Sequence, residues 1–466
     1  MPTRRAFIQT AAAAPLLAQN RQPNILLLIA DDLGLHTGAY GDTYSKTPNL
    51  DRLAADGVRF ENAFCTTASC SPSRSVILSG LQNHANGQYG LGHAVHNFSY
   101  LPKIQPLPSL LKDSGYATGV IGKLHVNPIE RFRWDLNESS DPGRNGSVMA
   151  QKAEQFIQSA GSKPWYLHIG FTDPHRAAQG FANRDYPGIQ RTPFDPEKAK
   201  VPSFLPDNTP TRQELAEYYE AVNRLDQGVG HFMSVLTKAG QLDNTLVVFM
   251  SDNGMPFPNA KTTVYDSGSR LPLIVRNPRQ SKRGLVNKAM ISWVDILPTC
   301  VDWAGAKLPD YKVHGRSFLN ILDQENPSDW DQVFFSHTFH EVTMYYPMRG
   351  MRNRRYKYLR NLYPELSFPF ASDLWNSKMW QSLRPEGENA RLGRRSAKDF
   401  IHRAPEELYD ITADPNELNN LAKSPQHRET LAQMHKTVHE WRKTTADPWI
   451  IQSKYSGEDP SATPPM

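Results

Sequence analysis

Two pairs of neighbouring residues carry the first chemical signal. Asp31 and Asp32 follow the apolar run Asn24–Ala30, and Asp252 and Asn253 follow the apolar run 245–250 after one serine. Adjacent carboxylates repel, so a buried Asp-Asp pair wants a cation. The donors offered are all oxygen, which suits a hard cation, Ca²⁺ or Mg²⁺, rather than zinc. Three carboxylates and an amide oxygen leave room for the roughly 6–8 ligands that Ca²⁺ takes, which favours calcium. A thiol and a guanidinium stand four residues apart in Cys70-Ser71-Pro72-Ser73-Arg74. Lys123 with His125, and Asp173 with His175, follow two more apolar runs, at 116–121 and 165–171. An imidazole moves protons near neutral pH, so these positions suit acid–base work.

The scaffold must bring those groups to one rim. Short, nearly continuous apolar runs fit strands buried on both faces of a parallel sheet. Helical patterns lie between them at 49–56, 108–114, 148–159 and 213–239. Alternating strands and helices predict an α/β fold: a large mixed, mostly parallel sheet flanked by helices. In such sheets ligand sites form beyond the carboxyl ends of the strands, which is where the polar groups stand. From about residue 320 the pattern changes to short strands near 333–335, 356–359 and 407–410 and a helix near 427–442. The expected organisation is a catalytic α/β domain over 22–320, a smaller α+β C-terminal subdomain over 321–450 and a loose tail over 451–466.

The chain has 466 residues, 39% of them hydrophobic, and a net charge of +5. It is long enough to bury a sizeable core. The charge is too small and too mixed to argue for nucleic acid. Three cysteines, Cys65, Cys70 and Cys300, exclude a disulfide-built fold and a four-cysteine zinc site. No apolar run approaches the ~20 residues of a membrane span. Residues 1–20 read as an export signal, with Arg4-Arg5 and Phe7 ahead of an Ala-rich stretch. The paired arginines resemble a bacterial twin-arginine signal, which implies the twin-arginine export machinery as a partner and a periplasmic or extracellular destination. That route carries folded cargo.

The stretch Cys70–Arg74, closed by Leu78-Ser79-Gly80, resembles the signature of the sulfatase family, of the alkaline phosphatase superfamily. Asn24–Gly34, Gly122-Lys123-x-His125, Asp173-Pro174-His175 and Ser251-Asp252-Asn253-Gly254 look like further landmarks of it. Within the family, several stretches resemble the sulfamidase branch, N-sulfoglucosamine sulfohydrolases of heparan sulfate breakdown. They include His84-x-Asn86-Gly87-x-Tyr89-Gly90 and, above all, residues 340–349, His-Glu-Val-Thr-Met-Tyr-Tyr-Pro-Met-Arg. Three features depart from that branch: Lys261 stands where arginine is expected, Arg270 in Tyr265-Asp-Ser-Gly-Ser-Arg270 looks more like ordinary O-sulfatases, and the insert between Phe370 and Phe400 does not match.

The resemblance implies a sulfuric ester or sulfamate hydrolase acting on a sulfated saccharide. It implies Ca²⁺ held by Asp31, Asp32, Asp252 and Asn253, with residue 70 completing the shell. It implies that a maturation enzyme converts Cys70 to formylglycine, before export if the cargo leaves folded. Arg74 would steady the ionised diol, Lys123 and Lys261 would hold sulfate oxygens, His125 would be a base and His175 the acid toward the leaving group. Asp173 would either orient His175 or bind a sugar hydroxyl, and His84, His340 and Glu341 would read the sugar. Exo action and a homodimer are also suggested. The competing readings are an exported O-sulfatase on another polysaccharide, a formylglycine-dependent phosphonate or phosphodiester hydrolase, and a non-catalytic sulfoglycan-binding protein. A binder has no need of a convertible cysteine inside an intact signature.

Overall fold

The structure is a computed structural model, and it describes residues 22–450. The export signal read at 1–20 and the tail read at 451–466 lie outside the described residues. Strand β1 (Asn24–Ala30) is buried along its whole length. Its Ile25, Leu27 and Ile29 join one apolar cluster, while Leu26, Leu28 and Ala30 join another on the opposite face. Both faces of the sheet are therefore covered, which is why the run is apolar without alternation.

The strands that follow are β2 (Val58–Phe64), β3 (Ala117–Gly122), β4 (Leu136–Glu138), β5 (Trp165–Gly170), β6 (Thr245–Ser251), β7 (Leu273–Arg276) and β8 (Leu285–Ser292). They form one sheet in the order β4-β3-β5-β1-β6-β7-β2-β8. Only β7 runs antiparallel to its neighbours, so β1, β3, β5 and β6 all end at one edge. The helices are α1 (Pro48–Ala55), α2 (Cys70–Ser79), α3 (Leu107–Asp113), α4 (Gly146–Ala160), α5 (Thr209–Lys238) and α6 (Ile296–Ala304). Met149 and Phe156 of α4 meet Leu225 and Phe232 of α5 on one face; Val76, Leu107 and Leu297 cover the other. The mostly parallel α/β sheet anticipated from the apolar runs is the sheet observed.

A second, antiparallel sheet holds β9 (Gln332–His337), β10 (Met348–Asn353), β11 (Tyr356–Asn361) and β12 (Glu406–Asp410), ordered β12-β11-β10-β9. Helix α7 (Arg428–Thr444) packs Met434 and Val438 against Met351, Tyr358 and Leu408. Val333, Phe335 and Met348 join the same apolar cluster as Leu26 and Leu28 of the large sheet.

One close approach fixes the edge at which β3 and β5 end. Lys123 N donates to Gly170 O at 2.7 Å where β3 and β5 end. A Cβ at Gly170 would stand 1.9 Å from Lys123 O, and one at Gly122 would stand 2.3 Å from Gly170 O. Gly122 also has φ +80°. Only glycine fits either position, and the pair pins the backbone of Lys123 against β5.

Candidate active site

The ends of β1 and β6 are stitched together by their own acidic residues. Asp252 N donates to Ala30 O (3.0 Å) and Asp32 N to Asp252 Oδ1 (3.1 Å). Asp31 N donates to Asp173 O (3.1 Å), which ties in the end of β5. Asp32 takes φ +65°, a conformation costly for a residue with a side chain. Asp31, Asp32 and Asp252 are fully buried, and each offers an oxygen within 4.8 Å of the others.

This oxygen set fits a cation. Asn253 Nδ2 donates to Asp32 Oδ1 (2.6 Å), which leaves Asn253 Oδ1 buried without a partner. Asp31 Oδ1 is also buried and unpartnered, with Arg74 Nη2 at 3.9 Å, beyond hydrogen-bond reach. Buried acceptors left unpaired are destabilising, and a divalent ion would satisfy both. Burial pushes Asp252 up to about 7, and the charge on Asp31 adds to the push. Burial also acts on Asp31, but Lys123, His175 and Arg74 outweigh it and hold that carboxyl well below its usual range.

Cys70 opens α2, straight after β2 and the turn that follows it. Its Sγ lies 4.0 Å from Asp32 Oδ1. Arg74 is one helical turn further on and so shares that face. Its Nε donates to Asp252 Oδ2 (2.8 Å) and its Nη1 to Lys123 O (2.7 Å). Burial and Asp31 push the Cys70 thiol well above its normal pKa, against the pull of Lys123 and Lys261. A shift in that direction disfavours the thiolate, the form in which a cysteine is nucleophilic.

Lys123 Nζ pairs with Asp31 Oδ2. Lys261 Nζ bridges Asp32 Oδ2 (2.9 Å) and Asp373 Oδ2 (2.6 Å). Thr262, beside it, holds φ +68°, an outlier for a β-branched residue. Four carboxylates, Asp31, Asp32, Asp252 and Asp373, thus face three cations, Arg74, Lys123 and Lys261, and an added divalent ion would tip the balance to positive toward an anionic substrate. His175 Nδ1 donates to Arg176 O, and its Nε2 stands 3.8 Å from Asp32 Oδ2 and 3.9 Å from Asp373 Oδ2. Burial and then Lys261 lower its pKa. His125, at φ +59°, meets His93 Nδ1 through Nε2, while its Nδ1 is buried and unpartnered. Burial and Lys123 hold His125 well below its usual pKa.

Asp31, Asp32, Cys70, Arg74, Lys123, His175, Asp252, Asn253 and Lys261 thus form one constellation, with His125 beside it. Four other expected site residues have different surroundings. Both ring nitrogens of His84 are engaged by protein: its ring bonds Ser336 Oγ (2.8 Å) and Thr445 Oγ1 (3.0 Å), and it packs edge-on against Trp441. Asp173 is 1% exposed, and its carboxylate is taken by Arg144 (2.5 Å) and Arg224 (2.6 and 2.7 Å). It touches neither the His175 ring nor the cleft; Arg144, which also donates to His175 O (3.0 Å), lets it fix the loop. His340 Nδ1 bonds Ser69 Oγ (2.8 Å), the residue preceding Cys70, and Glu341 Oε1 accepts from Ser372 N (2.8 Å). Both support neighbours of the site instead of lining the cleft.

That cleft has a volume of about 820 Å³ and is lined by His175, Arg176, Asn183, Glu217, Asp373 and Lys378, among others. Asp373, Arg144 and His93 escaped the sequence reading. Asp373 lies in the insert that matches no landmark, and only its meeting with Lys261 marks it.

The family model described as Sulfatase matches residues 23–306, and that described as N-sulphoglucosamine sulphohydrolase, C-terminal, matches residues 259–371. Human N-sulphoglucosamine sulphohydrolase is 37% identical over 467 residues, covering 93% of this chain and 92% of the human protein. An ulvan-active sulfatase of Formosa agariphila is 28% identical, covering 92% of this chain and 82% of its own. A solved structure in complex with its substrate D-glucosamine-2-N,6-O-disulfate shares the fold. Its TM-score is 0.68 at 21% identity, over 91% of this chain and 98% of that one.

Proposed function

The chain belongs to the sulfatase family, and from that premise we propose that it removes the N-sulfate of glucosamine in heparan sulfate-type glycans, using Ca²⁺ and a formylglycine made from Cys70. One observation carries this reading. The signature cysteine stands against a buried carboxylate cluster, with Arg74, Lys123 and Lys261 around the same cluster. The choice of nitrogen over oxygen draws support from the match to the N-sulphoglucosamine sulphohydrolase C-terminal model and from the human relative.

Asp31, Asp32, Asp252 and Asn253 would hold the calcium, which when bound acts as a Lewis acid that lowers the pKa of a neighbouring hydroxyl. Formylglycine in its hydrated form would supply that hydroxyl as the nucleophile for sulfur. The remaining work belongs to side chains in place. Arg74 is locked by Asp252 and by Lys123 O, and so presents fixed positive charge beside residue 70. Lys123 and Lys261 extend their ammonium groups toward the carboxylates from two sides, placed to meet sulfate oxygens as charge builds. His175 keeps a proton on Nδ1 through Arg176 O, so the proton it delivers to the leaving nitrogen comes from Nε2. Its lowered pKa makes the imidazolium a stronger acid, and Asp32 and Asp373 support its charged form. His125, held neutral by burial, accepts a proton when sulfate is released.

No helix among the described residues is long and apolar enough to cross a membrane. Arg4-Arg5 and the Ala-rich stretch that follows support a mature enzyme outside the cytoplasm, its residue 70 converted before export. The same reading treats 22–320 as the catalytic domain and 321–450 as its C-terminal subdomain.

The test is a desulfation screen of mature enzyme against N-sulfoglucosamine, 6-O-sulfated glucosamine, sulfated fucose, galactose and xylose, and a phosphonate monoester. N-sulfoglucosamine should give the highest kcat/KM; an O-sulfate or the phosphonate in first place would overturn the specificity. Intact mass should show residue 70 about 18 Da lighter than cysteine in the dehydrated form, as replacement of the thiol by an aldehyde requires. An unchanged thiol in active enzyme would overturn the nucleophile.

A further inference from the structure

Asp373 belongs to no landmark of the family signature, yet among the described residues it is the one carboxylate that both lines the cleft and contacts Lys261. It is the second residue of a four-residue helix, Ser372–Trp375, between Phe370 and Phe400. Its Oδ2 contacts Lys261 Nζ at 2.6 Å and stands 3.9 Å from His175 Nε2. Its Oδ1 accepts from its neighbour Leu374 N (2.9 Å), and Glu341 holds the preceding amide, Ser372 N, at 2.8 Å. The side chain is 18% exposed, and that exposure is toward the cleft. Asp373 therefore reaches the place where a leaving group takes the proton from His175.

The two candidate leaving groups differ in charge at that place. Sulfamate hydrolysis is R–NH–SO₃⁻ + H₂O → R–NH₃⁺ + SO₄²⁻. The N–S bond breaks with its electron pair on nitrogen, which takes one proton from His175 Nε2 and a second from solvent. The new S–O bond brings in the oxygen that water ultimately supplies. An O-sulfate releases a neutral alcohol at the same point. A carboxylate beside the acid favours a nitrogen that becomes cationic and gives far less to an alcohol. We propose that Asp373 is a specificity-determining residue, receiving the ammonium of the released amino sugar and biasing the site toward N-sulfates. This rests on the N-sulfate reading above.

The experiment uses mature, calcium-loaded enzyme and its Asp373→Asn variant, with glucosamine and N-acetylglucosamine as probes by calorimetry. Wild type should bind glucosamine more tightly than the neutral sugar. D373N should weaken glucosamine by about 10- to 100-fold, the value of a charged hydrogen bond, and leave N-acetylglucosamine nearly unchanged. In turnover, D373N should lose more kcat/KM on N-sulfoglucosamine than on 6-O-sulfated glucosamine. Equal losses for both probes and both substrates would show that Asp373 only positions Lys261, and would overturn the proposal. A wild-type enzyme that leaves N-sulfoglucosamine intact would overturn the underlying specificity instead, and the product-binding arm separates the two failures.

Discussion

Replacing Lys261 with methionine separates electrostatic catalysis from folding. Methionine keeps most of the stem and removes the charge. In the native chain the ammonium is 1% exposed, with Asp32 Oδ2 at 2.9 Å and Asp373 Oδ2 at 2.6 Å. Breaking a fully buried pair costs ~3–5 kcal/mol. Here Asp373 is 18% exposed and Asp32 keeps the amide of Asn253, so solvent and the remaining partner reduce the loss to ~2–3 kcal/mol. Unfolding entropy grows with chain length, so for a chain this large that is a fall in Tm of only ~2–3 °C. Catalysis should suffer more, because one fixed donor to a developing oxyanion is worth ~10²–10³ in kcat. The assay is kcat and KM on N-sulfoglucosamine beside thermal unfolding of the same preparation. Lys261→Arg should recover most of the loss, since a guanidinium fork can span both carboxylates. If K261M turned over within about threefold of wild type while folded, the assignment of Lys261 to preorganised charge would be wrong.

Strong chelation should abolish turnover, and Ca²⁺ should restore it better than Zn²⁺, because the donors at Asp31, Asp32, Asp252 and Asn253 are all oxygen; activity after complete metal removal would end the calcium assignment. Asp295, pushed up to about 7 by burial despite the amides of Ser292 and Arg316, is a second test. A carboxyl raised in the fold favours the native state while protonated, and that advantage is lost as pH rises from about 4 through about 7. The Tm of wild type relative to Asp295→Asn should therefore decline across that window in calorimetry, and a constant difference would contradict the burial argument. His84→Ala should lower stability by ~1–3 kcal/mol through the lost bonds to Ser336 and Thr445, with kcat/KM of the folded enzyme unchanged. A selective loss of kcat/KM would return His84 to the site.

Much of the site was legible because its chemistry sits where apolar strands stop. Asn24–Ala30 has to be buried on both faces, and such a run must end in residues that face the rim. The same logic located Lys123, His175 and Asp252. It failed for β10, whose Met-Arg-Gly-Met-Arg-Asn carries no apolar period; its Arg349 is buried against Asp447 (2.9 Å), far along the chain. It over-reached for Asp173, which follows an apolar strand but spends its carboxylate on Arg144 and Arg224, as the resemblance did for His84, whose ring bonds Ser336 and Thr445.

The order of residues along the chain determined which segments become strands, which polar groups follow them, and which motif Cys70 opens. Tertiary structure alone decided which strand ends meet: β1 lies between β5 and β6, although long stretches of chain separate the three. It also brought Asp373 to Lys261 across 112 positions. Local preferences act over a few residues, whereas such meetings follow from how helices pack on both faces of a sheet, and no short stretch of sequence encodes that packing.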